Sequence, residues 1–539
     1  MSSLLPDNGL ANLAASLLAN NHEVKILDYG TVNTIKRLKI PEKEGKELYE
    51  LGRKIAVDLQ QKKKANEDEV AELHSLEAKL EGVQQEKTRG IAKEIVRIIG
   101  EESADFVGLK LWNGDGFTGS LMIAEELKKA YPDLPIFGGG PHVDWFKEAI
   151  LQETRNIDAL AYGDGEETIV LLAEYVQGKR KLEDIPNLIY KKNGDIKTTP
   201  VKWIEDLNVL PLPVYDPEVY PAMQGNQKVK ILILDESRGC PYSCAFCIHP
   251  KKSGNKWRKK SKEKIVDEMA EFINKYGLNV FMLAGSTTPP NLLKEVAVEI
   301  LKRGLDVEYA TFGNFRVTNP DDYKLLRKSG CYAIFFGLES GSEKLLEKAM
   351  NKKTSLEKIK RALIAAKEAG IYTIASVIYP SPFETEETRK ATLDLLLETR
   401  PDSVPVQFPG LIPGSQWTEN PERYDFEIKN KEEYIKTLLH YKVRSLFPPI
   451  LWDSLPYRCN GMNFLDMVIE SSKLVQEIEQ NGILTSIPQD LALIIKQLRI
   501  TPQKFRDMHR TSFLTGDYKT VADMAERINK NILGDINGP

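Results

Sequence analysis

Nothing in the 539-residue chain approaches a run of roughly eighteen apolar residues, so no segment reads as a membrane-spanning helix. The opening MSSLLPDNGL lacks the basic and apolar regions of a signal peptide, and a soluble cytoplasmic protein is expected. An excess of one charge is missing too. The formal net charge of -4 leaves no overall basic field for nucleic acid, although local patches survive that argument. Cysteine is scarce: of five in all, Cys240, Cys244 and Cys247 are crowded together while Cys331 and Cys459 stand alone. That distribution excludes a secreted disulfide framework and fits a reducing compartment.

What the chain does have is length, enough for about two to four domains, and two series of alternating strand and helix patterns. In residues 1–190 the runs EVKILDY (23–29), FVGLKLW (106–112), PIFGGGP (135–141) and ALAYGDG (159–165) read as buried strands. Amphipathic segments such as GLANLAASLLANN and GSLMIAEELKKAY lie between them, which implies a Rossmann-like parallel sheet covered by helices. Ligands of such sheets sit at the carboxyl ends of the strands, where these glycine-rich loops fall. From about 41 to 88 the composition shifts to Lys, Glu, Gln and Leu, as in a charged helical insertion with a hairpin turn near Ala65 to Asp68. Residues 191–227, with LPLPVYDPEVYPAM, read as a linker. A second alternation over 228–440 suggests a partial (β/α)6 barrel, and 441–539 is expected to be mostly helical. The expected fold class is therefore α/β throughout, closed by a helical C-terminal domain.

The cysteine cluster lies in SRGCPYSCAFCIHP (237–250), directly after the apolar strand KILILDESRG. Three thiolates this close can converge on one soft metal but cannot all pair as disulfides. Zinc would need a fourth protein ligand, with His249 as the nearest candidate. A 4Fe-4S cluster can leave one iron to a non-protein ligand. Placement at the mouth of an expected barrel, where barrel enzymes keep their active sites, favours the open iron site over a structural zinc knuckle.

The CxxxCxxC pattern, with Phe246 before its last cysteine, resembles that of radical S-adenosylmethionine (SAM) enzymes. The likeness continues through MLAGSTTPPN (282–291), FFGLESGSEKLLEKAMNKKTS (335–355) and VIYPSPFETEETRKATL. It implies that Cys240, Cys244 and Cys247 hold a 4Fe-4S cluster and that Phe246, Gly285, Ser286, Glu339 and Lys352 contact SAM. A carboxylate suits ammonium or hydroxyl groups and a lysine suits a carboxylate, in keeping with that assignment. Two departures stand out: Ala284 and Gly285 form only part of the family's glycine triplet, and Ser381 to Phe383 replace the usual small glycine turn.

The first domain follows the order seen in cobalamin-binding domains fused ahead of many radical SAM enzymes. By that resemblance Gly139, Gly140, Pro141 and His142 line one cofactor loop and Gly163, Asp164, Gly165 and Glu166 another. The lower face of cobalt would be met by the Leu111 to Thr118 loop, with Trp112 and Asn113, by water, or by nothing. No histidine ligand is expected there, because Asp28 is followed by Tyr29, Gly30, Thr31 and Val32 rather than by the Asp-x-His-x-x-Gly motif. MSSLL is short for a central first strand, so the sheet is expected to lack it or the chain to begin late.

Together these features imply a cobalamin-dependent radical SAM methyltransferase. A methyl group would pass from SAM through methylcobalamin to an unactivated carbon or a phosphinate phosphorus, with a 5'-deoxyadenosyl radical as hydrogen abstractor. The alternative is a cyclisation, ring contraction or rearrangement by the same cofactors. A basic run with an embedded tryptophan, KKSGNKWRKKSKEK (251–264), raises RNA binding or modification as a lesser alternative. No general base can be chosen. The expected partners are a small-molecule or peptide substrate and an electron donor such as flavodoxin or ferredoxin. Cys331 reads as a small core residue, while Trp452, Tyr457 and Arg458 near Cys459 read as packing or as substrate contacts.

Overall fold

The computed structural model describes residues 1–61, 66–317, 319–442, 452–514 and 517–534. Its N-terminal sheet contains β1 (Val107–Lys110), β2 (Ile136–Gly139), β3 (Ala159–Ala161), β4 (Leu188–Lys192) and β5 (Asp195–Thr198), side by side in that order. The first three are parallel and the last two antiparallel. β4 and β5 correct the expected linker at its start. Asn193 and Gly194, with φ of 54° and 86°, turn the chain back on itself as Asn-Gly pairs do in tight hairpins.

The run EVKILDY is a second correction: residues 23–29 form no strand. The chain ahead of it, Ser2–Leu4, is a 3-10 turn, which offers no strand edge to pair with. The segment instead lies as a strap along the later connection. Ile26 N donates to Val219 O at 2.7 Å, and Asp28 is gripped by buried Lys228 at 2.7 Å and by the Tyr220 hydroxyl.

The charged insertion is helical as expected, with helices Glu42–Gln60 and Glu67–Glu101 held together by Leu48, Ile55, Leu73 and Leu80. Asn66 caps the second helix through Asp68 N, while Ala65 of the expected turn lies outside the described residues. The second helix continues well past position 88 and packs on Asp115–Ala130, so it belongs as much to the sheet's cover as to the hairpin.

The second sheet is parallel and runs in sequence order through β6 (Leu232–Leu234), β9 (Val280–Leu283), β10 (Glu308–Phe312), β11 (Cys331–Glu339), β12 (Tyr372–Ile378) and β13 (Ser403–Val404). Between β6 and β9 the short strands β7 (Ser237–Arg238) and β8 (Arg258–Lys259) pair with each other. β14 (Val406–Gln407) pairs with β12, and β15 (Phe426–Glu427) with β16 (Arg458–Cys459). β17 (Leu484–Thr485) then adds a further parallel strand beside β13. The tail is therefore not only helical. Its helices Phe464–Gln480, Gln489–Leu498, Pro502–Leu514 and Tyr518–Leu533 accompany a strand of the barrel sheet. No pairing among the described residues joins β6 to β17, so the barrel is partial.

β12 is almost wholly buried and lacks polar alternation, as expected of a parallel strand covered on both faces. Between strands the helices carry ordinary stop and start signals. Ser261 accepts Lys264 N at the head of Lys262–Tyr276, and Gly277 ends it in the left-handed region. These alternations point the carboxyl ends of the strands, and the loops that follow them, toward one mouth.

Candidate functional site

The cysteine loop is closed at its base by the β7 and β8 ladder, which sets Ser237 opposite Lys259 and Arg238 opposite Arg258. Gly239 follows at φ 83°, and a Cβ there would lie 2.2 Å from Lys256 O, so only glycine fits immediately before Cys240. Cys240 N then donates to Gly254 O at 3.0 Å and Cys247 N to Cys244 O at 3.1 Å. The loop's outer side is tied to the segment after Glu343–Lys348: Ala245 N donates to Met350 O at 2.8 Å, and Asn351 Nδ2 to Ser243 O at 2.8 Å. Phe246 packs on Trp417 with ring centres 5.7 Å apart, and the Trp417 indole donates to Ala349 O at 2.7 Å.

All five cysteines are free. Burial pushes the Cys244 thiol up to about 11 and the Cys247 thiol to about 12, and it raises Cys240 as well. The ammonium of Lys352 opposes the rise at Cys240 and Cys244. Among the described residues no three His, Cys, Asp or Glu side chains are gathered closely enough to hold a metal as they stand. The fit to a cluster rests instead on three unpaired, electrostatically coupled sulfurs on one loop with a buried cation beside them.

Lys352 and Glu339, singled out separately in the sequence, meet here. Their charged ends are 2.9 Å apart, and the ammonium also donates to Gly337 O. Burial pulls the Lys352 pKa down, but Glu339 and the nearby thiols outweigh it and leave it raised. Glu339 takes φ 67° at a break in the β11 register, an unusual conformation for a non-glycine residue, and Gly337 gives the pair its space. Gly285 donates its N–H to Glu236 Oε2 at 2.9 Å, and Thr288 donates to Glu236 Oε1 at 2.6 Å. Ser286 is half-buried beside them. Glu236 escaped notice in the sequence, yet burial holds its carboxyl near 7. The available signal was an acidic residue at the carboxyl end of the first barrel strand.

At the N-terminal sheet, Gly139, Gly140 and Pro141 sit at the carboxyl end of β2 beside the Leu111 loop, where a Cβ on Gly140 would stand 3.1 Å from Leu111 O. Trp112 is exposed and packs on Trp145 at 5.9 Å, with Asn113 following it in the same loop. His142 is turned into packing. It is buried among Phe117 and Phe146, with Nε2 3.0 Å from Leu439 O. Its Nδ1 and the buried indole N–H of Trp145 have no protein partner. Exposed aromatic surface, glycine backbone and unpartnered buried nitrogens fit a large planar cofactor with polar rim groups.

The third predicted loop is used differently. Gly163 N donates to Asp144 Oδ1 at 2.8 Å, but Asp164 and Glu166 face the barrel. Glu166 is held by Arg238 at 2.5 and 3.0 Å, Asp164 by Arg238 at 3.2 Å, and Arg258 also closes on Asp164. Of the remaining candidates, Cys331 is fully buried with its thiol pushed up to about 12 by burial, as expected of a core residue. Cys459 is buried in β16, and the Tyr457 hydroxyl donates to Pro409 O at 2.9 Å. Trp452 packs on Phe408 and Arg458 is exposed, an arrangement dominated by packing.

A model of the Radical SAM superfamily matches residues 237–396, and a model of the B12 binding domain matches residues 65–173. Residues 237–396 thus form a domain of the radical SAM kind and residues 65–173 one of the B12-binding kind. The first match implies a 4Fe-4S cluster and SAM, and the second implies cobalamin. An uncharacterized methyltransferase of Pyrococcus horikoshii is 28% identical over 312 residues, covering 56% of this chain and 65% of that protein. An anaerobic magnesium-protoporphyrin IX monomethyl ester cyclase of Rubrivivax gelatinosus is 30% identical over 330 residues, covering 58% of each. The chain thus spans less than two thirds of either relative. A solved radical SAM methyltransferase from Kitasatospora setae, with cobalamin and a [4Fe-4S] cluster bound, matches with a TM-score of 0.64 over 98% of this chain and 97% of that one. At 16% identity that likeness is one of fold. Among the described residues no helix is long and apolar enough to cross a membrane.

Proposed function

We propose that the chain is a cobalamin-dependent radical SAM methyltransferase acting on an unactivated carbon or a phosphinate phosphorus of a small molecule or peptide. The observation that carries this reading is the Lys352 and Glu339 pair set against the three free thiols at the barrel mouth, in a chain that also holds a sheet of the B12-binding kind. Bound there, the cluster would supply the electron that cleaves SAM to methionine and a 5'-deoxyadenosyl radical, and cobalamin would carry the methyl group. Cys240, Cys244 and Cys247 would hold the cluster. Lys352 would take the SAM carboxylate, while Glu339, Gly285 and Ser286 would meet its ammonium and hydroxyl groups, with Phe246 against the loop.

On the other side Gly139, Gly140 and Pro141 would admit the corrin rim, and Trp112 and Asn113 would face the side where no histidine reaches cobalt. The protein's own work is to orient and to exclude water; no side chain here is assigned as a base. An electron donor such as flavodoxin or ferredoxin would complete the system, in the cytoplasm. The 30% identity to a cyclase keeps a second reading, ring formation by the same cofactors without methyl transfer. Anaerobic reconstitution with iron, sulfide, cobalamin and labelled SAM, followed by mass analysis, separates the two: methylation adds a methyl group and cyclisation does not. A protein that neither holds cobalamin nor cleaves SAM would sink both.

A further inference from the structure

The two strands that close the cysteine loop each contribute one arginine, and both arginines reach across to the same carboxylate, Asp164, beyond the carboxyl end of β3. Arg238 takes both oxygens of Glu166 and also Asp235 at 2.8 Å. Arg258 bonds Ile204 O at 2.8 Å and Ser253 O at 2.9 Å, with its guanidinium 5.0 Å from the Trp203 ring centre. The side chains of Arg258, Asp164 and Glu166 are 2%, 6% and 8% exposed. Buried charge of this density is a poor source of stability, since apolar packing of equal volume does as well or better. What a two-pronged guanidinium–carboxylate contact adds is a fixed distance and angle.

We infer that this ion-pair cluster is a register clamp: it sets the separation of the two cofactor sites, and Glu166 and Asp164 are positioning residues rather than cofactor ligands. The inference rests on the two-cofactor reading above. The transmission is short. Glu166 heads the helix that follows the third sheet loop, and Arg238 is separated from Cys240 only by Gly239, whose backbone is fixed by its close approach to Lys256 O. The two domains are also joined elsewhere, where His142 meets Leu439 O and Glu153 meets His440 at 3.2 Å. Loss of the clamp would therefore let the domains hinge without parting. A group that must pass between two bound cofactors and a substrate is sensitive to such movement, because a misplacement of about 1 Å can cost roughly 100-fold in rate.

The test uses the holoenzyme carrying Glu166→Gln, which removes charge and keeps shape, with Glu166→Asp as the charge-retaining control and Asp164→Asn as a second neutral variant should the first fail to fold. Iron and cobalamin contents should match the parent. Electron paramagnetic resonance of the reduced protein, without substrate, should show altered spin coupling between cobalt and the cluster. Methylated product per 5'-deoxyadenosine should fall roughly 10- to 100-fold, with Glu166→Asp nearer the parent. Unchanged coupling and an unchanged product ratio in the neutral variants would overturn the clamp. A neutral variant that folds but loses cobalamin would overturn it as well, by making the carboxylate a ligand. A parent protein that holds only one cofactor would sink the reading beneath it instead.

Discussion

At the barrel mouth the glycines make room for charged side chains, whereas at the edge of the five-stranded sheet they make room for backbone. A Cβ on Gly285 would lie 2.3 Å from Glu236 Oε1 and 2.4 Å from Ser237 Oγ, and one on Gly337 would lie 2.3 Å from Glu339 Oε1. A Cβ on Gly140, by contrast, meets the Leu111 carbonyl at 3.1 Å. The first arrangement suits a small zwitterion gripped by paired charges, the second a broad ligand lying along loops. The same residue type after a strand thus marks two kinds of site, and the charges packed around it separate them.

The largest effect that would sharpen this contrast is at the cluster. Cys244→Ala should bring SAM cleavage to background and remove the iron–sulfur absorbance, while cobalamin content stays at the parent level. Loss of both cofactors together would mean that the two sites are not separable. Next comes the buried pair. Lys352→Met leaves Glu339 charged and without its partner, and breaking a buried pair in this way costs about 3–5 kcal/mol. Chemical denaturation should show that loss, and the double variant with Glu339→Gln should recover most of it. Recovery of stability without recovery of SAM affinity would assign the pair to binding rather than to folding.

Five barrel strands, β6 and β9 to β12, were legible because each is an apolar run ended by a turn signal, whereas the two-residue β13 and β17 were not; the cysteines, Glu339 and Lys352 stood out because their motifs are local. EVKILDY has the composition of a strand, but a strand also needs an edge to pair with, and no sequence window displays one. The β4–β5 hairpin was masked by the proline-rich stretch behind it, although Asn193 and Gly194 were its signal. Glu236 and the clamp were hidden for another reason. Whether Asp164 and Glu166 hold a cofactor or an arginine depends on Arg238, more than 70 positions along the chain, and an arginine beside a cysteine motif looks like any solvated charge. Local pattern shows where backbone and glycine lie, whereas the partner of a charge is a tertiary fact.

A smaller effect should appear with pH at the sheet's edge. Burial raises Asp144 from 3.8 to about 6, against the N–H of Gly163 and the pull of Lys252. The folded state therefore holds a proton that the unfolded chain releases over that window, so this group's contribution to stability is greatest below it and is lost as pH rises through about 6. Each pKa unit corresponds to about 1.4 kcal/mol, so Asp144→Asn should stabilise the protein by about 2–3 kcal/mol at pH 8 and by much less at pH 4. Thermal unfolding of both proteins at the two pH values measures the difference, and an equal shift at both would remove Asp144 as its source.

The last and smallest comparison sets one glycine against the other. Gly285→Ala pushes a methyl group into the ends of Glu236 and Ser237, and Glu236 is held in place by Gly285 N and Thr288. Overpacking of this kind costs about 1–3 kcal/mol. Because the displaced group is the carboxylate beside the proposed ammonium site, the variant should lower the melting temperature and weaken SAM binding while leaving cobalamin affinity unchanged. Gly140→Ala faces a different obstacle, a φ of 102° that alanine resists together with the Leu111 carbonyl. It should weaken cobalamin binding and spare SAM. Titration of each ligand into each variant gives four affinities, and only a crossed pattern supports two separate uses of glycine. If each variant weakens both ligands equally, the two edges move as one body and the contrast between them is lost.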